Sequence, residues 1–148
     1  MKICSTLNFT LPTVTLLLLI SFSALGQSRE TFKVRLSPTP IDAVTKNTIT
    51  GSGSLTAILT GTKLTVTGAF EGMRSPATDI HIQRGAKGIR GPAIINLNIS
   101  KGVSGEVSGS VELTSPEIED LKGGRLYVQI DSESAPAPDG NLWGWLLH

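Results

Sequence analysis

Cysteine is almost missing from this chain: one thiol, Cys4, occurs in 148 residues, and it precedes the apolar stretch near the start. Nothing downstream can form a disulfide, act as a thiol nucleophile or supply a cysteine-based zinc site, so the folded part must rest on its hydrophobic core. Charge of one sign is also lacking. Thirteen basic and twelve acidic side chains leave a formal charge of +1, with no basic block. Nucleic acid and anionic membrane surfaces are therefore excluded as expected partners. Long apolar runs are missing too, since "LPTVTLLLLISF" (Leu11 to Phe22) is short of the roughly 20 residues that span a bilayer. No Gly-x-Ser-x-Gly elbow is present, and "GAKGIRG" (Gly85 to Gly91) lacks the lysine-hydroxyl pair of a phosphate loop. That segment reads as a tight loop between strands.

The short apolar run has a meaning of its own. Lys2 gives a basic start, and "ALGQ" places Ala24 and Gly26 as a signal peptidase prefers. The expectation is a signal peptide over 1–26, cleaved before Gln27, and a single domain over 27–148. The product is expected to be exported, periplasmic or extracellular and of bacterial type, with no membrane insertion after cleavage.

From Gln27 onward the apolar residues recur at every second position, the period of a half-buried strand. "TFKVRLS" sets Phe32, Val34 and Leu36 on one face and Lys33 and Arg35 on the other. "SLTAILT" and "KLTVTGAF" flank Gly61 and Thr62, which predicts a hairpin. "DIHIQR", "AIINLNI", "GEVSGSVEL", "RLYVQIDS" and "NLWGWLL" follow, bounded by Gly, Pro, Ser or Asp. About eight strands at this spacing predict an all-β sandwich or barrel. "TSPEIEDLKGG" predicts one short helix, capped by Thr114 or Ser115, with Pro116 in the first turn and Gly123 at the end, crossing between the sheets.

The blocks "TFKVRLSP", "GSGSLTAILTGTKLTVTGAFEGM", "DIHIQRGAKGIRGPAI", "LTSPEIEDLKGGRLYVQI" and "DGNLWGWLL", in that order, resemble the CHRD (chordin-type) domain from Thr31 to Leu147. The resemblance implies an immunoglobulin-like or Greek-key β-sandwich and a role in extracellular binding and regulation. It also marks departures. The family pattern carries His-x-His where this chain has His81, Ile82 and Gln83, and a further histidine where it has Asp131. The closing block, usually Gly-Glu-x-Arg-Gly-Gln-Leu, is here Gly140 to Leu146, "GNLWGWL". One histidine of three remains.

Residues two apart on a strand share a face, so Asp79, His81 and Gln83 point one way, and Tyr127, Gln129 and Asp131 do the same on their strand. If the two strands are neighbours, His81, Gln83, Tyr127 and Asp131 form a polar face flanked by Asn141, Trp143 and Trp145. His81, Gln83, Tyr127, Asp131, Asn141 and Trp143 are the candidate site residues. The face could be solvated side chains linked across strands, a surface for a small ligand or glycan, or a metal site, for which glutamine is a poor ligand. Trp143 and Trp145 suit either core packing or a platform for sugar stacking. Acidic residues in "DSESAPAPDGN" lack an ordered calcium-loop spacing, and a flexible, solvated loop is expected there. The sequon Asn98-Ile99-Ser100 matters only in a host that glycosylates exported proteins.

The resulting expectation is a non-enzymatic exported module that binds a protein or polysaccharide without a cofactor. The alternative is a metal-dependent exported enzyme with a sandwich resembling superoxide dismutase, using His81.

Overall fold

A computed structural model describes residues 26–148; the leader expected over 1–26 lies almost wholly outside the described residues. The strands are β1 (Arg29–Pro38), β2 (Ser52–Thr60), β3 (Lys63–Glu71), β4 (Ala77–Arg84), β5 (Ala93–Asn96), β6 (Asn98–Ile99), β7 (Gly105–Glu112), β8 (Leu126–Ser132) and β9 (Leu142–Trp145). One helix, α1 (Ser115–Lys122), separates β7 from β8. The strands form a barrel-like sandwich in the order β5-β4-β8-β9-β1-β2-β3-β7-β6, every pairing antiparallel. The all-β expectation holds, with nine strands in place of eight.

The extra strand comes from "AIINLNI", which alternates like one element but serves both sheets. Residues 93–96 pair with β4, residues 98–99 pair with β7, and the chain changes sheet at Leu97, whose N–H donates to Ile80 O at 3.1 Å. A continuous period-two pattern cannot mark such a switch, because both halves present the same alternation to one core.

The core follows the alternation. Phe32, Val34 and Leu36 of β1 are buried while Lys33 and Arg35 between them are exposed. Leu55, Ala57 and Leu59 of β2 and Leu64, Val66 and Phe70 of β3 complete one wall; Ile80, Ile82, Val128 and Ile130 form the other. Gly61 opens the β2–β3 turn with φ 62, the backbone a two-residue hairpin requires at that position. In α1, Thr114 is the N-cap and its N–H donates to the Glu117 carboxylate at 2.8 Å. Leu121 turns into the core, and Asp120 receives Arg84 Nε at 2.6 Å and Arg125 Nε at 2.8 Å, tying the helix to β4 and to the residue that precedes β8.

The two sheets meet at β1. This strand pairs with β2 along most of its length and with β9 at Ser37–Trp143 and Pro38–Leu142. A further bridge, Lys33–Leu147, keeps the same register, so Arg35 falls opposite Trp145. Gly144 makes the approach possible: a Cβ there would lie 2.7 Å from Val34 Cγ1 and 3.0 Å from Arg35 C.

Candidate functional site

β4 and β8 are neighbours, and their register sets Asp79 opposite Asp131, His81 opposite Gln129 and Gln83 opposite Tyr127. β9 then places Trp143 opposite Gln129 and Trp145 opposite Tyr127. His81, Gln83, Tyr127, Asp131 and Trp143 therefore gather on one face, with Gln129 at its centre. Asn141 does not join them. Its Nδ2 donates to Thr50 O at 2.8 Å and its Oδ1 accepts from Ser132 Oγ at 3.3 Å, so it pins the β1–β2 crossover instead.

The outward face of β8 is not solvated. Tyr127 and Gln129 are 0% exposed and Asp131 is 3% exposed, because two loops roof them. From the loop after β4, Gly91 N–H donates to Tyr127 Oη at 3.0 Å, and Gly85 O accepts from Trp145 Nε1 at 3.0 Å. Tyr127 Oη itself donates to Gln83 Oε1 at 2.5 Å. From the loop after β8, Pro138 O accepts from Gln129 Nε2 at 3.3 Å. Arg90 clasps the two loops by donating to the carbonyls of Pro138 and Asp139, and its guanidinium lies 5.4 Å over the Trp143 ring. Beneath the roof, Tyr127 stacks on Trp145 at 4.8 Å, and the two tryptophans meet edge to face at 4.9 Å. The solvated loop expected over "DSESAPAPDGN" is corrected in part: Glu133, Ser134 and residues 136–139 are exposed, but Asp131 and Ser132 belong to β8, and Ala135, Gly140 and Asn141 are buried. The segment's backbone groups bond to β8, Pro76, Thr39, Arg90 and one another.

Gln129 Nε2 also donates to Asp131 Oδ1 at 2.8 Å, which leaves Gln129 Oε1 as a buried polar atom without a partner among the described residues. Gly140, at φ 68, packs directly on this amide. His81 is half-buried, with Nδ1 2.9 Å from Asn96 Oδ1 and Nε2 3.5 Å from Asp131 Oδ2. Burial pushes the Asp131 carboxyl above its ordinary range, and nearby Asp79 adds to this; the Gln129 hydrogen bond, His81 and Arg90 oppose it.

A raised folded-state pKa favours the protonated acid in the native protein. The stability it contributes is complete below the ordinary carboxylate pKa of about 4 and is lost as pH rises through the folded value. Urea unfolding of the parent and of Asp131→Asn, run in parallel from pH 4 to 8, should therefore show the parent losing ground as pH rises. Asp42 and Asp120, both held low by hydrogen bonds, act at more acid pH and cancel in the difference. A gap moving in the parent's favour with rising pH would mean that Asp131 is held as a stabilising carboxylate.

Among the described residues no three His, Cys, Asp or Glu side chains converge as a metal-ligand set. The other histidine, His148, lies against Phe32 and 3.8 Å from Glu30. Chemically, apart from the unpartnered Gln129 Oε1, the layer's hydrogen bonds are spent within it, on Asn96 and on the loop backbones, and it fixes those loops in place. Beside it lies an open groove of about 360 Å³, lined by Lys33, Arg35 and Ser37 of β1, Lys87 of the β4–β5 loop, and Trp143 and Trp145 of β9. The sequence pattern marked Lys33 and Arg35 as outward-facing but gave no reason to join them to the tryptophans. Only the β1–β9 pairing does that.

Residues 32–144 match the family model described as the CHRD domain. Searches of curated proteins and of solved structures each returned no match. The match covers most of the chain and takes in both walls of the core, the polar layer and its roofing loops, and the chain belongs to the CHRD domain family.

Proposed function

We propose that this chain is an exported, non-enzymatic CHRD module that works by binding a protein or a polysaccharide, through the groove between β1 and β9. One observation carries the reading. The polar layer that resembles a reaction site is buried under two loops, while the surface left open beside it combines cations, a hydroxyl and indole. A rigid concavity with a few convergent polar groups is what a binding site needs. The roof supplies the rigidity: Arg90 fixes one side of Trp143, and Gly85 O fixes Trp145.

The molecule carries its own reporter. Its two tryptophans are Trp143 and Trp145, so all indole emission originates at this groove. Titrating residues 27–148 with a neutral glucan, a polyuronate, polyglutamate and polylysine should change the emission for at least one of them. Saturable binding detected by sedimentation with unchanged emission would place the binding surface elsewhere. Absence of binding to all four would remove the support for this reading.

A further inference from the structure

We propose that the β1–β9 groove is a subsite for an acidic polysaccharide, one whose sugar units carry carboxylates; this deepens the binding reading above and rests on it. The groove is lined by three cationic side chains and no carboxylate. Lys33, Arg35 and Lys87 are exposed, and none has an acidic partner within 4.0 Å among the described residues; the ion pairs present join other groups. In a chain with nearly balanced charge, three free cations at one concavity form a local positive field that attracts anions.

Geometry selects the kind of anion. Lys33, Arg35 and Ser37 alternate along one face of β1, spaced about 7 Å apart as strand geometry requires. Opposite them stand Leu147, Trp145 and Trp143 in the same register. A ligand lying along the groove meets charge and hydroxyl on one side and, on the other, the exposed Leu147 and the part-exposed Trp143, with Trp145 buried between them. Linked sugar rings have that division, with carboxylate and hydroxyl edges and apolar C–H faces. An acidic peptide is less well served, because a peptide seats on a sheet by pairing with a free strand edge. Here β1 is interior, flanked by β9 and β2, so the groove offers side chains and no unpaired strand. Lys33 Nζ donates to Thr56 Oγ1 at 3.1 Å, which holds the ammonium at the groove's β2 rim and leaves its remaining protons free. Arg35 provides a fork that matches a carboxylate.

The test is affinity electrophoresis of residues 27–148 through gels containing polygalacturonate, neutral dextran or polyglutamate. It compares the parent with Lys33→Ala/Arg35→Ala, Trp143→Ala and the control Lys101→Ala, in the loop between β6 and β7. Equal melting temperatures establish that the exposed double substitution leaves the fold intact. The expected result is retardation by polygalacturonate that weakens with salt, falls at least about tenfold in the double variant and is unchanged in the control. Equal retardation of parent and double variant would overturn the proposal. Polyglutamate binding as tight as polygalacturonate would overturn it in favour of an acidic protein. Binding of dextran alone, lost in Trp143→Ala, would overturn the anionic subsite while keeping the binding module. Failure with every polymer, protein mimic included, would reach the function itself.

Discussion

Tyr127→Ala is expected to be the most damaging single change in the polar layer, lowering the unfolding free energy by about 4 kcal/mol or more. Tyr127 is fully buried, stacks on Trp145 at 4.8 Å and contacts Trp143 edge-on at 6.1 Å. Removing a buried aromatic ring costs about 3–5 kcal/mol through lost transfer energy and the cavity left behind. The hydroxyl adds a separate part, since its loss strands both Gly91 N–H and Gln83 Oε1. A buried group left without its partner costs about 1–3 kcal/mol. Tyr127→Phe isolates that part: it keeps the ring and should lose about 1–3 kcal/mol in urea unfolding, with faster hydrogen exchange at the Gly91 amide. Stability of Tyr127→Phe equal to the parent would mean that the hydroxyl does not hold the loop.

Gly144→Ala tests the seam between the sheets. The added methyl group would point inward, against Val34 Cγ1 at 2.7 Å and the Arg35 backbone. Neither can yield cheaply, because Val34 is packed in the core and Arg35 belongs to a strand paired with β2. Overpacking of this sort costs about 1–3 kcal/mol, and the upper end is expected because backbone must move. Folded domains are stable by about 5–15 kcal/mol in general, so a loss of this size is readily measured in two-state urea unfolding. The damage has a direction: separating β9 from β1 widens the groove, so Gly144→Ala should also red-shift the tryptophan emission of the native state. Unchanged emission and stability would show that the seam absorbs a methyl group.

How much of this could be read from the sequence depends on whether the information was local. Phe32, Val34 and Leu36 alternate with charged residues, and that pattern alone places β1 half in the core. "TSPEIEDLKGG" carries its own start and stop, so α1 was legible with its start open only between Thr114 and Ser115. The shared face of His81 and Gln83, and that of Tyr127 and Asp131, also followed from period two. Their juxtaposition depended on β4 lying beside β8, which no single strand encodes. Burial of Gln129 and Asp131 was opaque for the same reason: polar side chains on an alternating strand read as solvent-facing, and the roof over them comes from loops at residues 85–92 and 133–140. Asn141 was misplaced because its partner, Thr50 O, lies 91 residues away. The sheet change at Leu97 left no mark, since both halves of "AIINLNI" serve one core with one alternation.

The place of β1 also governs the order in which the chain can fold. β2 and β3 are joined by a two-residue turn and β1 reaches β2 through residues 39–51, so these three can pair before the rest, whereas β9 returns to β1 only after the rest of the chain has been laid down. Closing a loop of that length carries a large entropy cost, and contacts so distant in sequence slow the search for the native topology. Until β9 arrives, β1 presents an unpaired edge at Ser37 and Pro38, and the indoles of Trp143 and Trp145, which pack on Tyr127 of β8, lack the β1 side of the groove. The β1–β9 seam that builds the groove is thus the last to engage, and the binding surface comes into being only when the whole sandwich closes.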